Sequence, residues 1–359
     1  MPPPSVTVLL PTFRRPALLS RALRSVLAQT FTDFQVMVCD NSSNDGTAEV
    51  VEGFAQRDAR VAYHCHPVNI GAQANFGWGF EQVGSEFFCL FSDDDLLLPR
   101  CLVNGVEGLR SHPSAMAWGG QVLTSRDDGA VECWPSTAWP EGYVEPVAAC
   151  SLVCHNIRPA NTGMLFRRRV LDPDFHPGYT DFHCSDVLWM LHAAAKGGIG
   201  VTREPVAVFT QHAGSLSTRA GQDPETGMAL YWPSVRYLYD HFPRGQLSED
   251  VYVGFRRAVL RTYGSEQFWQ LGRMAAIQGL PVTVAACIRR LEEDFLDRPG
   301  ARRLRRLSAI PSILLRAYFG LRYRLLRRGD QRSSPELQRI VDDAHISCAP
   351  LAARGTAGG

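Results

Sequence analysis

Lysine is almost missing. Lys196 is the single lysine among 37 basic residues, so the positive charge is carried by arginine, which we read as a coding bias rather than a function. Asp and Glu number 36 and the formal net charge is +1, which leaves no global electrostatic case for binding nucleic acid. No Cys-x-x-Cys pair occurs. The ten cysteines are scattered, and Cys150 with Cys154 makes a lone Cys-x-x-x-Cys, a pattern that gives little support to a zinc site or a disulfide framework. Several, such as Cys39 and Cys89, sit in apolar runs where a thiol behaves as a small hydrophobe. No apolar run reaches the ~18 residues of a membrane span. The start, Met1-Pro-Pro-Pro-Ser5, has neither the basic nor the apolar region of a signal peptide. A reducing cytoplasm is the expected compartment. No Gly-x-Gly-x-x-Gly follows the first apolar run, which argues against the usual dinucleotide fold.

What the chain does contain is an ordinary globular composition, 45% hydrophobic and 20% charged over 359 residues. That length suits one large domain with an appendage, or two domains. One stretch organises it. Glu86-Phe-Phe-Cys-Leu-Phe-Ser climbs through aromatics to Asp93-Asp94-Asp95, and Leu-Leu-Leu-Pro99 follows. The first run has the length of a buried strand. Three adjacent carboxylates repel one another, and a hard cation such as Mg2+ or Mn2+ would compensate them. Read alone, the cluster is equally a solvated acidic turn before a helix.

Before it, strand and helix alternate. Ser5–Leu10 reads as a strand buried on both faces, Thr12–Pro16 as its turn, and Leu18, Leu19, Ala22, Leu23, Val26 and Leu27 as one helix face. Phe34–Cys39 is a second strand and ends on the polar cluster Asp40–Thr47. A helix over Ala48–Gln56, a strand over Val61–Cys65, a turn at Asn69-Ile-Gly71 and a helix over Ala72–Val83 lead to the fourth strand. Four alternations in about 100 residues imply a parallel sheet with helices on both faces. Thr12, Asp40 and Asp93–Asp95 then fall at carboxyl ends of strands, where such sheets bind ligands.

Beyond Cys101 the pattern loosens. Met116–Trp118, Thr162–Phe166 and Val206–Thr210 read as strands, Asp186–Ala195 as a helix, and Ser125–Val147 as a loop or lid. After Ala220 come amphipathic helices over Met228–His241, Glu249–Thr262, Gln267–Gln278 and Val282–Phe295. Arg302–Arg328 carries nine arginines and no acid, interleaved with leucine and aromatics. That suits either a solvated bundle face or docking on an anionic membrane surface. From Gln331 the tail reads as polar, with residues 346–359 disordered. The expected domains are residues 1–220, with halves near 1–100 and 101–220, and a helical domain over 221–345.

In order and spacing, Leu10-Pro11-Thr12-Phe-Arg-Arg15, Cys39-Asp40-Asn-Ser-Ser-Asn-Asp-Gly46-Thr47, Asn69-Ile-Gly71 and Ser92-Asp-Asp-Asp95 resemble the family 2 glycosyltransferases, over about residues 5–217. The resemblance implies the α/β GT-A fold, a mostly parallel sheet with helices on both faces, here followed by a C-terminal helical region. It implies inverting, metal-assisted transfer from a nucleoside diphosphate sugar to an acceptor hydroxyl of a glycan, glycolipid or small product. Position by position, it puts Pro11, Thr12, Arg14, Asp40, Asn69, Asp93 and Asp94 around the donor. It puts Asp94, Asp95 and His212 at an Mn2+ or Mg2+ ion, and makes Asp186 the base. Ser92 and Ser185 stand where many members carry an acid. His212, Ser215 and Ser217 resemble the family's His-x-x-Ser-x-Ser segment. The acceptor would be a saccharide or a lipid-linked sugar, with no nucleic acid, and the protein would sit in the cytoplasm or peripherally on the inner face of the membrane through Arg302–Arg328.

Plainer readings stand beside these. Asp40 and Asp186 both suit helix caps. His212 suits a structural role, Asn69 and Gly71 a simple turn, and Arg167–Arg169 a solvated strand end. The rival functions are a nucleotidyltransferase, which would carry a glycine-rich loop where Thr12–Pro16 stands, and a non-catalytic sugar-binding or scaffold relative.

Overall fold

The computed structural model describes residues 3–126, 131–134, 139–171, 185–211, 223–319 and 335–348. The chain opens with β1 (Val6–Thr12), α1 (Pro16–Leu27), β2 (Phe34–Asp40), α2 (Thr47–Ala55), β3 (Val61–Cys65), α3 (Ala72–Glu81) and β4 (Phe87–Leu90). β1 lies parallel between β2 and β4, and β3 continues parallel beyond β2. The continuous apolar runs follow from burial on both sheet faces. Val6, Val8 and Leu10 pack with Leu19, Leu23 and Val26 of α1, whereas Leu9 between them joins the core of the opposite face. Pro16 at the first position of α1 starts that helix with a preset φ.

The sheet goes on through β5 (Leu96–Leu97), β6 (Ala117–Arg126), β7 (Val131–Trp134), β8 (Gly142–Val144), β9 (Leu165–Arg167) and β10 (Ile199–Gln211). Its order is β3-β2-β1-β4-β9-β6-β10-β5, with β7 beside β6 and β8 beside β10. β9 runs antiparallel to both β4 and β6. The first half is therefore parallel as expected, and the second half is mixed. Helices α4 (Cys101–Ser111), α5 (Pro146–Cys154) and α6 (Ser185–Gly197) cover it.

Residues 125–147, expected as a loop, hold the end of β6, the strands β7 and β8, and the start of α5. β7 and β8 are too short to declare themselves locally. They exist because β6 and β10 offer them ladder partners. α5 does carry a local signal: the Glu145 carboxylate accepts from the N–H groups of Val147 and Ala148 at 3.1 and 2.9 Å, and Pro146 follows the cap.

The C-terminal region is helical, as expected. α7 (Pro224–Asp240) precedes α8 (Glu249–Ala258), which runs through a π-helical stretch, Val259–Gly264, into α9 (Ser265–Gln278). Then come α10 (Pro281–Glu293), α11 (Arg298–Ser308) and α12 (residues 312–319). Phe268, Leu291, Phe295 and Leu304 share one hydrophobic cluster with Trp189 and Leu191 of α6 and with Phe88 and Phe166 of the sheet. The region is thus built onto the second sheet face.

The polar reading of the tail is corrected by α13 (Pro335–Cys348). Leu337, Ile340, Val341, Ala344 and Cys348 recur at helical spacing and pack against Leu96, Leu98, Leu123 and Val208 at the far edge of the sheet. That edge is apolar and needs a cover.

Candidate active site

Three loops meet at the carboxyl edge of the parallel half. β1 and β2 end in register at Thr12 and Asp40, and the Asn41 N–H donates to the Thr12 carbonyl at 3.0 Å. β4 runs on through Phe91, whose N–H donates to the Leu9 carbonyl at 2.9 Å, and delivers Ser92–Asp95 beside them. The turn after β1 has Arg14 at φ +56°, a left-handed conformation that bends the chain so that the next residue faces the acids.

The three aspartates part company. Asp93 accepts from Thr12 Oγ1 at 2.7 Å and from Arg15 Nη1 at 3.1 Å. Asp94 accepts from the same Arg15 nitrogen at 3.0 Å. Asp95, expected toward the metal or sugar, is turned inward at 1% exposure. One of its oxygens accepts from Thr162 Oγ1 at 2.7 Å and the other from the Thr210 N–H at 2.9 Å. Burial pushes the Asp95 carboxyl up to about 8, with the neighbouring Asp94 charge adding to it. Burial raises Asp93 as well, against the Thr12 hydrogen bond and the Arg15 charge, which hold it down.

Asp93 opens onto a cleft of about 450 Å3 lined by Pro11, Thr12, Phe13, Arg15, Asn41 and Asn69, with the start of α3 on its far side. Four expected residues thus come together: Pro11, Thr12, Asn69 and Asp93. Asp94 joins them through Arg15. Asp40 lies beneath, with its carboxylate taken up by the Ser43 N–H at 3.0 Å, the Ser43 hydroxyl and the Tyr63 hydroxyl at 2.8 Å. Of the two arginines after β1, the one that reaches the acids is Arg15. Arg14 instead lies over the Phe13 ring, and its N–H donates to Ser43 Oγ at 2.9 Å. Asn41 belongs to the site as well, though no motif in the sequence marks it. Its carboxamide accepts from the Ile70 N–H and donates to Asn69 Oδ1, both at 2.9 Å, so it joins the loop after β2 to the loop before α3. Its place next to Asp40 was the available signal.

Asp186 sits in the first turn of α6 and is paired with Arg158 Nη1 at 2.7 Å. Arg158, in the segment after α5, had no motif to mark it. His212, with Ser215 and Ser217, lies outside the described residues.

Asp93 and Asp94 suit a hard divalent cation: two carboxylate oxygens already converge on one positive centre, the Arg15 nitrogen. Asp95 does not join them, and among the described residues no cluster of three such donors is assembled.

An open α/β sheet takes its ligands in a crevice beyond the carboxyl ends of its strands, which is where this polar cleft lies. Residues 7–175 match the family described as "Glycosyl transferase family 2". Over those residues, a little under half of its length, the chain matches the family 2 glycosyltransferases. It is 35% identical over 100 residues to the GalNAc(5)-diNAcBac-PP-undecaprenol beta-1,3-glucosyltransferase of Campylobacter jejuni, a match covering 28% of this chain and 32% of that protein. The chain spans about a third to a half of the length of the first curated relatives it matches. In structure it is similar to S. aureus TarS 1-349 in complex with UDP-GlcNAc, with TM-score 0.60 and 18% identity over 85% of this chain and 88% of that one. It is also similar to the mannosyltransferase PcManGT of Pyrobaculum calidifontis in complex with GDP-Man and Mn2+, with TM-score 0.50 and 16% identity over 96% and 87%. These likenesses bear on the fold, which is GT-A.

Proposed function

We propose that this protein is an inverting glycosyltransferase that moves a sugar from a nucleoside diphosphate to an acceptor hydroxyl. The observation that carries the reading is the convergence of Asp93 and Asp94 on a single cation position at the mouth of a polar cleft.

The loops at Pro11–Thr12, Asn41 and Asn69 would take the nucleotide, with the buried Asp40 beneath holding the loop through Ser43 and Tyr63 rather than meeting the base itself. Asp93 and Asp94 would hold a divalent cation, which neutralises the diphosphate as it leaves. Asp186 takes the proton of the acceptor hydroxyl. The new C–O bond forms at the anomeric carbon as the bond to the diphosphate oxygen breaks, and attack from the opposite face inverts that carbon. One base and one displacement set this apart from hydrolysis by a carboxylate pair. Arg158 orients the base. Asp95 holds the acidic loop to Thr162 and to β10. The acceptor is a saccharide or a lipid-linked sugar, the latter in keeping with the name of the Campylobacter jejuni relative. The cytoplasmic side of a membrane is where we place the reaction.

A panel of nucleoside diphosphate sugars with Mn2+ or Mg2+ tests this, with Asp94→Ala and Asp186→Ala alongside. One donor should turn over, with metal, in the unaltered protein only. Asp186→Ala should still bind the nucleotide. Failure of every nucleotide to bind with any metal would overturn the reading.

A further inference from the structure

The helices that follow the sheet present an apolar ridge to solvent. Leu315 of α12 is buried, and Arg316 donates from Nε to the Ile277 carbonyl at 2.9 Å and from Nη2 to the Gln278 carbonyl at 2.8 Å. These contacts clamp α12 to the end of α9 and set which face points out. That outer face shows Ile313 at 74% exposure, with Leu314 and Tyr318 also exposed. Ile310, in the link from α11, is exposed as well and lines a cavity together with Pro281, the neighbour of Val282, which is 82% exposed in the first turn of α10. Between the two segments is an open cavity of about 410 Å3 lined by Leu280, Pro281, Val284, Ile288, Ala309 and Ile310. Exposed apolar residues on soluble proteins are ordinarily scattered singly. Four within nine residues, Ile310, Ile313, Leu314 and Tyr318, with Val282 on the segment across the hollow, call for a partner.

The charge beside the ridge says which. Arg302, Arg303 and Arg306 of α11 are exposed, and Arg305 next to them is held by Glu292. Residues 302–319 contain no acid. A second copy of the chain docking here about a two-fold axis would bring guanidinium against guanidinium. A surface that is apolar inside and negatively charged outside meets both features.

We infer that this ridge docks on an anionic phospholipid bilayer. Ile310, Ile313, Leu314, Tyr318 and Val282 enter the headgroup boundary, and Arg302, Arg303 and Arg306 meet the lipid phosphates. None of these residues lines the cleft at the carboxyl edge, so the inference does not depend on the transfer reading.

The test is flotation of the full chain with vesicles of phosphatidylcholine alone or with about one third phosphatidylglycerol, at low and high salt. Binding should rise about tenfold with the anionic lipid and fall with salt. It should be lost in Ile313→Asp/Leu314→Asp and reduced in Arg302→Ser/Arg303→Ser/Arg306→Ser, with far-UV circular dichroism and melting temperature kept. The arginine variant changes exposed side chains, of which Arg303 alone also lies over a ring, that of Trp269 at 5.4 Å, so Arg302→Ser/Arg306→Ser is run beside it and decides the matter even where the apolar variant fails to fold. No vesicle binding, equal binding to both vesicles, or binding indifferent to the arginine variant overturns the inference. So does a dimer by light scattering that Ile313→Asp dissociates.

Discussion

One guanidinium nitrogen bridges two carboxylates: Arg15 Nη1 lies 3.1 Å from Asp93 Oδ1 and 3.0 Å from Asp94 Oδ2. The protein supplies its own cation at the point where a divalent ion is proposed to sit. Arg15 and the ion therefore compete for the same oxygens.

Arg15→Gln removes the competitor. The Arg15 side chain is 35% exposed over carboxylates that are 7% and 12% exposed; taking ~1 kcal/mol, the upper end for an exposed pair, as the competition to be removed, Mn2+ should bind the nucleotide-free protein about fivefold more tightly in the variant. Calorimetric titration of Mn2+ reads this directly. Unchanged or weaker metal binding would show that Arg15 does not compete.

Arg158 fixes the carboxylate proposed as base. Asp186→Asn should lower kcat by a factor on the order of 10²–10⁴. Arg158→Ala should lower it less, about tenfold, because the carboxylate stays but loses its orientation. In both variants the donor KM should hold steady, as neither residue lines the cleft. A rise in donor KM without a fall in kcat would instead put Asp186 and Arg158 in donor binding or in holding α6.

Asp95 ties the acidic loop to two other segments. Asp95→Ala leaves the part-buried Thr210 N–H and the buried Thr162 hydroxyl without their acceptor and should cost ~1–3 kcal/mol by denaturant unfolding. Asp95→Asn keeps an acceptor for Thr210 and a donor for Thr162, so its cost should be clearly smaller. Equal losses in the two variants would mean that the hydrogen bonds are not what Asp95 supplies.

The C-terminal helix is docked by a histidine. Arg21 Nη2 donates to His345 Nδ1 at 2.6 Å, which requires that nitrogen to be unprotonated. Burial, and then the Arg21 charge, hold the imidazole below its ordinary range, while Asp342 pulls the other way. A base whose folded value is depressed adds stability above its unfolded value of ~6.5 and loses it as pH falls through the folded value. Melting temperature should therefore drop between about pH 7 and pH 5 more steeply in the unaltered protein than in His345→Gln. Parallel pH profiles would remove the Arg21–His345 contact from the account.

The first hundred residues could be read because both faces of their sheet are buried. Continuous apolar runs such as Val6–Leu10 and Phe87–Phe91 leave no other local solution, and the polar residues that end them fall at one sheet edge. The helices α7 to α10 announced themselves in the same way, by spacing. α13 did so too, through Leu337, Ile340, Val341 and Ala344, but its polar surroundings masked the stripe. β7 and β8 did not, since strands of three or four residues form only where a neighbour offers a ladder.

What the sequence determined by itself was the alternating α/β order, the edge at which Thr12, Asp40 and Asp93 gather, and the match of residues 7–175 to the family 2 glycosyltransferases. Local pattern suffices for these because periodicity and turn chemistry act within a few residues. Only the tertiary structure decided which members of Asp93–Asp95 face the cleft, that Arg15 rather than Arg14 meets them, and that Arg158 pairs with Asp186. Each is a contact between segments distant in the chain, and the direction of a side chain at a strand end depends on what the rest of the fold packs around it.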